Sequence, residues 1–135
     1  MYNGLLYAHE TLAYLLVLST TVSLALALTN AVLGSRPRLA RLGSTLARKV
    51  EVSLGGLLML LGVILWVAGH FSILTWWLWA GVIFVAGQGM IVGRGIKPQV
   101  TALQEGDASR RWLWLAWAAL HWVWIGAILG FMQAH

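Results

Sequence analysis

Residues 36–70 read RPRLARLGSTLARKVEVSLGGLLMLLGVILWVAGH. Arg36, Arg38, Arg41, Arg48 and Lys49 crowd the first half, and beyond Glu51 no charged side chain follows. The apolar run over about 50–68 comes close to the roughly 20 residues needed to cross a bilayer's hydrocarbon core. A basic segment leading into an uncharged apolar span carries an orientation, because Lys and Arg resist translocation and stay in the cytoplasm. This stretch therefore reads as a cytoplasmic loop followed by a transmembrane helix.

The rest of the chain repeats the pattern. Apolar segments over about 5–33, 73–92 and 112–132 make three further spans, and the remaining cations, Arg94, Lys97, Arg110 and Arg111, lie between the last two. All nine Lys and Arg residues thus fall in two segments. With both on the cytoplasmic side, the two termini and the uncharged link Gly69-His70-Phe71-Ser72 face outward. The expected fold is all-α: a single domain over residues 1–135, a polytopic four-helix bundle in a bacterial inner membrane. Composition agrees, with 60% hydrophobic and 10% charged residues, against about 45–50% and 25% in soluble domains. Mean hydropathy is +0.80.

Several function classes drop out. Membrane orientation already accounts for the basic charge, so no nucleic-acid partner is expected. The N-terminus lacks the basic n-region of a cleaved signal. With no cysteine there are no disulfides, thiolate clusters or CxxCH haem attachment. No P-loop, HExxH or Ser-His-Asp set is present, and the chain reads as not an enzyme on its own.

The connecting segments carry their own expectations. Pro37 disfavours helix at the residue before it, ending the first helix near Ser35. Ala40 to Lys49 reads as a short interfacial helix, with Leu39, Leu42 and Leu46 toward the lipid. Gly93, Gly95, Pro98 and Gly106 mark the segment up to Arg111 as a mobile loop. Within the spans, Gly55, Gly62 and Gly69 repeat every seven residues, and Gly89/Gly93 and Gly126/Gly130 have GxxxG spacing, which lets helices approach closely. Trp76, Trp77, Trp79, Trp112 and Trp114 suit interfacial belts. Trp117, Trp122 and Trp124 lie deeper, where each indole N–H needs a partner. Such Gly and Trp faces would pack within the bundle, against a second copy, or against a larger respiratory or photosynthetic complex.

Ionisable groups inside a membrane are costly and point to function. His9 and Glu10 lie near the outer end of the first helix and His70 at the outer end of the second. His121 lies about 13 Å into the fourth, near the midplane. His9, His70 and His121 are candidate axial ligands of haem b, with His9 and His70 the best pair by depth. His9, Glu10 and His70, with His135, also offer an outer-face site for copper. Glu51 reads as an interfacial ion pair with Arg48 and Lys49 at a positive helix N-terminus. Ser19, Ser23, Asn30 and Gln88 read as interhelical hydrogen bonds.

Leu6-Tyr7-Ala8-His9, the Arg38–Arg48 loop, Gly55-Gly56-Leu57-Leu58 and Trp77-Leu78 occur in the order seen in small bacterial membrane proteins of the SirB type. The chain resembles these and their apparent relatives, the HemJ-like protoporphyrinogen oxidases and the CopD-like copper-associated proteins. The resemblance implies a haem b ligand at His9. The HemJ-like enzymes carry a Lys shortly after the Trp-Leu pair, where this sequence has Gly81. The expectation is a haem b or similar redox-cofactor protein serving electron transfer or cofactor handling. The alternatives are a non-catalytic accessory subunit and a copper-binding protein.

Overall fold

The computed structural model describes residues 2–34, 36–73 and 76–133, and only the backbone of residues 2, 76, 77, 132 and 133. Among the described residues the chain is helical, with no strand. The α-helices are α1 (Tyr2–Leu33), α2 (Pro37–Thr45), α3 (Val52–Ala68), α4 (Trp76–Met90), α5 (Lys97–Gln104) and α6 (Arg111–Gln133). Wider π-helical turns at Leu46–Glu51 and Ile91–Ile96 join α2 to α3 and α4 to α5. The result is four rods long and apolar enough to cross a membrane, Asn3–Leu33, Pro37–Ala68, Leu78–Gln104 and Ala108–Phe131. At about 1.5 Å per residue, a rod of 32 residues such as Pro37–Ala68 exceeds the hydrocarbon thickness of about 30 Å.

Two expectations about the connections are corrected. The segment from Ala40 to Lys49 is no separate interfacial helix; it continues into the second rod. Its buried side carries Ala40, Gly43, Ser44 and Ala47, while Leu42 is exposed. Helix likewise persists from Gly93 to Gln104 in place of a mobile loop. Ile91, Val92, Ile96, Val100 and Leu103 bury one face there, and that burial outweighs the helix-breaking tendency of Gly93 and Gly95. Pro98 stands in the first turn of α5, where its missing N–H costs least.

The rod ends are set by local chemistry. Gly34 takes a positive φ of 104° after α1, and Asn30 Oδ1 accepts from the Arg36 amide at 2.7 Å. At the end of α3 the His70 amide donates to Val67 O and the Phe71 amide to Trp66 O. This is the Schellman pattern, with His70 at the left-handed position usually held by glycine (φ 55°). The end of α5 repeats it with Gly106, φ 97°. The indoles of Trp66 and Trp79 donate to the carbonyls of Ser72 and Ile73, tying down the α3–α4 link.

α1 packs on α3 and α6, and α4 packs on the same two, closing a ring. α2 and α5 extend it at the end that carries the basic residues. We call this the basic end and the opposite one, with the α3–α4 link, the hairpin end. Three indoles of α6 stitch the ring: Trp114 lies over Gly43, Trp117 over Gly95 and Trp124 over Gly87, and a Cβ at any of these glycines would collide with the ring. Leucines, isoleucines and valines such as Leu18, Leu60, Ile64 and Ile83 cover the outside. An apolar exterior of this kind suits lipid.

Candidate functional site

Moving down the ring axis from the hairpin end, the interior passes through four zones. First comes a cavity of about 630 Å³ lined by residues of all four rods. Below it Leu16, Leu58, Phe84 and Ile125, one from each rod, form a packed apolar layer. Next is a layer of polar side chains. Last is a second apolar cluster, including Ala27, Ala47, Ile91, Val92 and Trp114, which runs to the basic end.

The cavity exists because facing positions carry little or no side chain. Gly62 of α3, Gly81 of α4, and Gly126 and Gly130 of α6 all line it. Its polar groups come mainly from α1, whose His9 and Glu10 lie on the wall. His9 is half-buried, and its Nε2 stands 3.9 Å from where a Cβ on Gly62 would be. Met59, one turn before Gly62, adds a thioether to the same wall. Cavities of about 300–1,000 Å³ with apolar walls and a few polar groups are the usual form of small-molecule sites.

The polar layer is fully enclosed. Glu51 and His121 are 0% and 1% exposed, and Ser19, Ser23 and Gln88 are also buried. The Ser23 hydroxyl donates to Glu51 Oε1 at 2.5 Å, and Ser19 at 3.4 Å. Gln88 Nε2 donates to the backbone carbonyl of Glu51 at 3.1 Å, which fixes which way the amide points. The same nitrogen lies 3.4 Å from His121 Nε2. An amide nitrogen only donates, so Nε2 of the imidazole accepts and Nδ1 carries the hydrogen. Nδ1 faces Glu51 Oε2 at 3.7 Å, and among the described residues Oε2 has no hydrogen-bond partner. Gly55 makes room for this arrangement, because a Cβ there would overlap the side-chain amide oxygen of Gln88.

These two sites divide the residues singled out in the sequence. His9 and Glu10 meet at the cavity; His70 is exposed at the helix end and does not line it. His121 belongs to the polar layer, so His9, His70 and His121 are not gathered around one point. His135 lies outside the described residues. Among the described residues, no group of three or more His, Cys, Asp or Glu is placed to hold a metal ion. Two deep indoles use protein partners, Trp122 donating to Thr21 Oγ1 at 3.0 Å and Trp124 to Phe84 O at 3.1 Å.

Glu51 is the residue whose surroundings differ most from expectation. It is no interfacial ion pair: Arg48 and Lys49 are exposed on another face, and Glu51 is buried between helices. The sequence held a signal for this. Ala40, Gly43 or Ser44, Ala47, Glu51, Gly55 and Leu58 recur every three or four residues, which places Glu51 on the small-residue face that the neighbouring helices cover. Compared with known proteins, this chain matches no family model, no curated protein and no solved structure.

Proposed function

We propose that this is a multi-pass protein of a bacterial inner membrane, binding haem b or a similar flat redox cofactor in the cavity at its hairpin end. Both basic segments face the cytoplasm, so the cavity lies in the outer half of the bilayer with the two termini outside. The observation that carries this reading is the cavity itself, which combines a half-buried imidazole, His9, with glycine-lined walls on three rods. Its volume and apolar lining fit a planar macrocycle, and His9 would hold the iron. Met59 adds a thioether to the cavity lining. His70 has no part in the site on this reading. When bound, the haem supplies one-electron chemistry; the chain supplies the ligand, the dry surroundings and the depth in the membrane.

The test is the haem content of protein purified in mild detergent, measured by pyridine haemochrome. Wild type and His70→Ala should carry about one haem per chain, and His9→Ala almost none. Equal content in His9→Ala would contradict the assignment.

An accessory-subunit role is the second reading, favoured by one observation. Among the described residues, Gly89 and Gly93 have no neighbour within contact distance of a Cβ, leaving a GxxxG face of the third rod open to another transmembrane helix. Co-purification of a larger complex that Gly89→Leu abolishes would support it.

A further inference from the structure

The polar layer is not part of the cofactor cavity. None of Ser19, Ser23, Glu51, Gln88 or His121 lines it, and the Leu16–Leu58–Phe84–Ile125 layer lies between. Groups this expensive to bury inside a membrane segment call for a use of their own.

The charge balance of the layer identifies its ligand. Three helices surround Glu51: α1 presents the hydroxyls of Ser19 and Ser23, α4 the Gln88 amide, and α6 the His121 imidazole. On its own rod, Arg48 and Lys49 are exposed elsewhere. Among the described residues no Lys or Arg pairs with Glu51. A carboxylate with a neutral imidazole leaves one uncompensated negative charge in a dry interior, where the desolvation penalty is several kcal/mol. A single added proton removes it, and with Nδ1 of the imidazole carrying its hydrogen and Nε2 taken by the Gln88 amide, that proton goes to the carboxyl.

We infer that Glu51 forms an intramembrane proton-binding site that holds one exchangeable proton beside His121. On Glu51 Oε1 the proton is donated to Ser23 Oγ, whose hydroxyl turns to accept it. Oε2 then faces the imidazole Nδ1–H at 3.7 Å as a neutral carboxyl oxygen. No bond other than O–H forms or breaks, and water is the donor and acceptor outside the site. In a residue with no exposed surface, an Oε2 without a hydrogen-bond donor among the described residues leaves the ionised carboxyl poorly compensated, and the proton removes that charge.

The π-helical turn Leu46–Glu51 supports exchange. Such turns leave part of the backbone ladder unpaired and concentrate at functional positions. Here the turn ends on Glu51, whose carbonyl is taken by the Gln88 side chain. A change in the carboxyl's protonation is thereby linked to how α3, α4 and α6 meet.

The chain has three glutamates, Glu10, Glu51 and Glu105, so ¹³C-glutamate labelling resolves the question by NMR in nanodiscs. One side-chain resonance should take the protonated-carboxyl position at neutral pH. It should survive Glu10→Gln and Glu105→Gln, and vanish in Glu51→Gln. It should move to the carboxylate position as pH is raised, at a pH that His121→Gln shifts. The two peripheral variants make the assignment by elimination, so the test holds even if Glu51→Gln does not fold. Three carboxylate resonances at neutral pH would overturn the inference. So would a protonated resonance that never changes while the protein stays folded, or one converted to carboxylate by sodium in place of potassium.

Discussion

The cavity and the polar layer are built from the same four rods, a few turns apart, and they solve opposite problems. In the cavity, Gly62, Gly81, Gly126 and Gly130 withdraw side chains and leave space. In the polar layer, Gly55 withdraws a side chain so that Gln88 can fill the gap. A glycine in a membrane helix therefore has two uses, separable only by what faces it. Facing apolar or glycine positions yield a binding volume; facing amides and carboxylates yield a closed hydrogen-bond network. Chemistry that needs a bulky guest belongs in the first region, and chemistry that needs only a proton fits the second.

The sharpest way to break this contrast is to compare large-to-small substitutions in packed and open regions. Trp114 is 1% exposed and seated on Gly43, so Trp114→Ala should cost about 3–5 kcal/mol. Leu129→Ala on the cavity wall truncates a partly buried side chain beside a space that already exists and should cost less, about 2 kcal/mol. Denaturant unfolding in mixed micelles measures both, and equal losses would mean that the cavity end is as tightly packed as the basic end.

A paired glycine experiment comes next. Gly55→Ala drives a methyl group into the Gln88 carbonyl and should destabilise by about 1–3 kcal/mol. Gly126→Leu meets open space, so it should leave unfolding nearly unchanged while abolishing cofactor retention. Thermal melts with haem quantification on the same samples separate the two outcomes.

A smaller effect concerns the helix ends. His70 occupies a left-handed position that Gly106 fills at the equivalent place after α5. His70→Gly should raise stability by about 0.5–1 kcal/mol, since the left-handed conformation is disfavoured for residues with a Cβ. A loss of stability would show that the imidazole makes a contribution that outweighs its backbone strain.

The smallest effect is at the exposed turn before α6. The Ser109 hydroxyl, then the Ser109 amide and Arg110, hold the Asp107 carboxyl below its ordinary range. Its contribution to the turn is therefore complete above the ordinary aspartate range and fades as pH falls through the lowered value. Hydrogen exchange at residues 107–110 should quicken on acidification, with the polar layer unaffected.

How much of this was legible in the sequence varies by region. The four helices and their apolar character follow from hydropathy and the clustering of Lys and Arg, because lipid leaves the backbone few options. His9 stood out as an ionisable group in an apolar span, and Ser19, Ser23 and Gln88 as interhelical hydrogen-bonding residues. Hidden was the way the pieces met. Glu51 lies beside Arg48 and Lys49 in sequence, and proximity along the chain outweighed its place on the small-residue face. The π-helical turns were invisible too: Gly93, Gly95 and Pro98 read locally as breakers, while burial against Trp117 and the α6 face keeps the rod continuous. Nor does any spacing disclose a cavity, which arises when glycines of separate helices oppose one another.

The most direct test of the central claim is titration of the purified protein in nanodiscs with haemin, followed at the Soret band, for wild type and His9→Ala in parallel. The account predicts saturation near one haem per chain, with a ligated-haem spectrum in wild type that is lost or strongly altered in His9→Ala. Identical titrations of the two folded proteins, or no saturable binding to either, would contradict it.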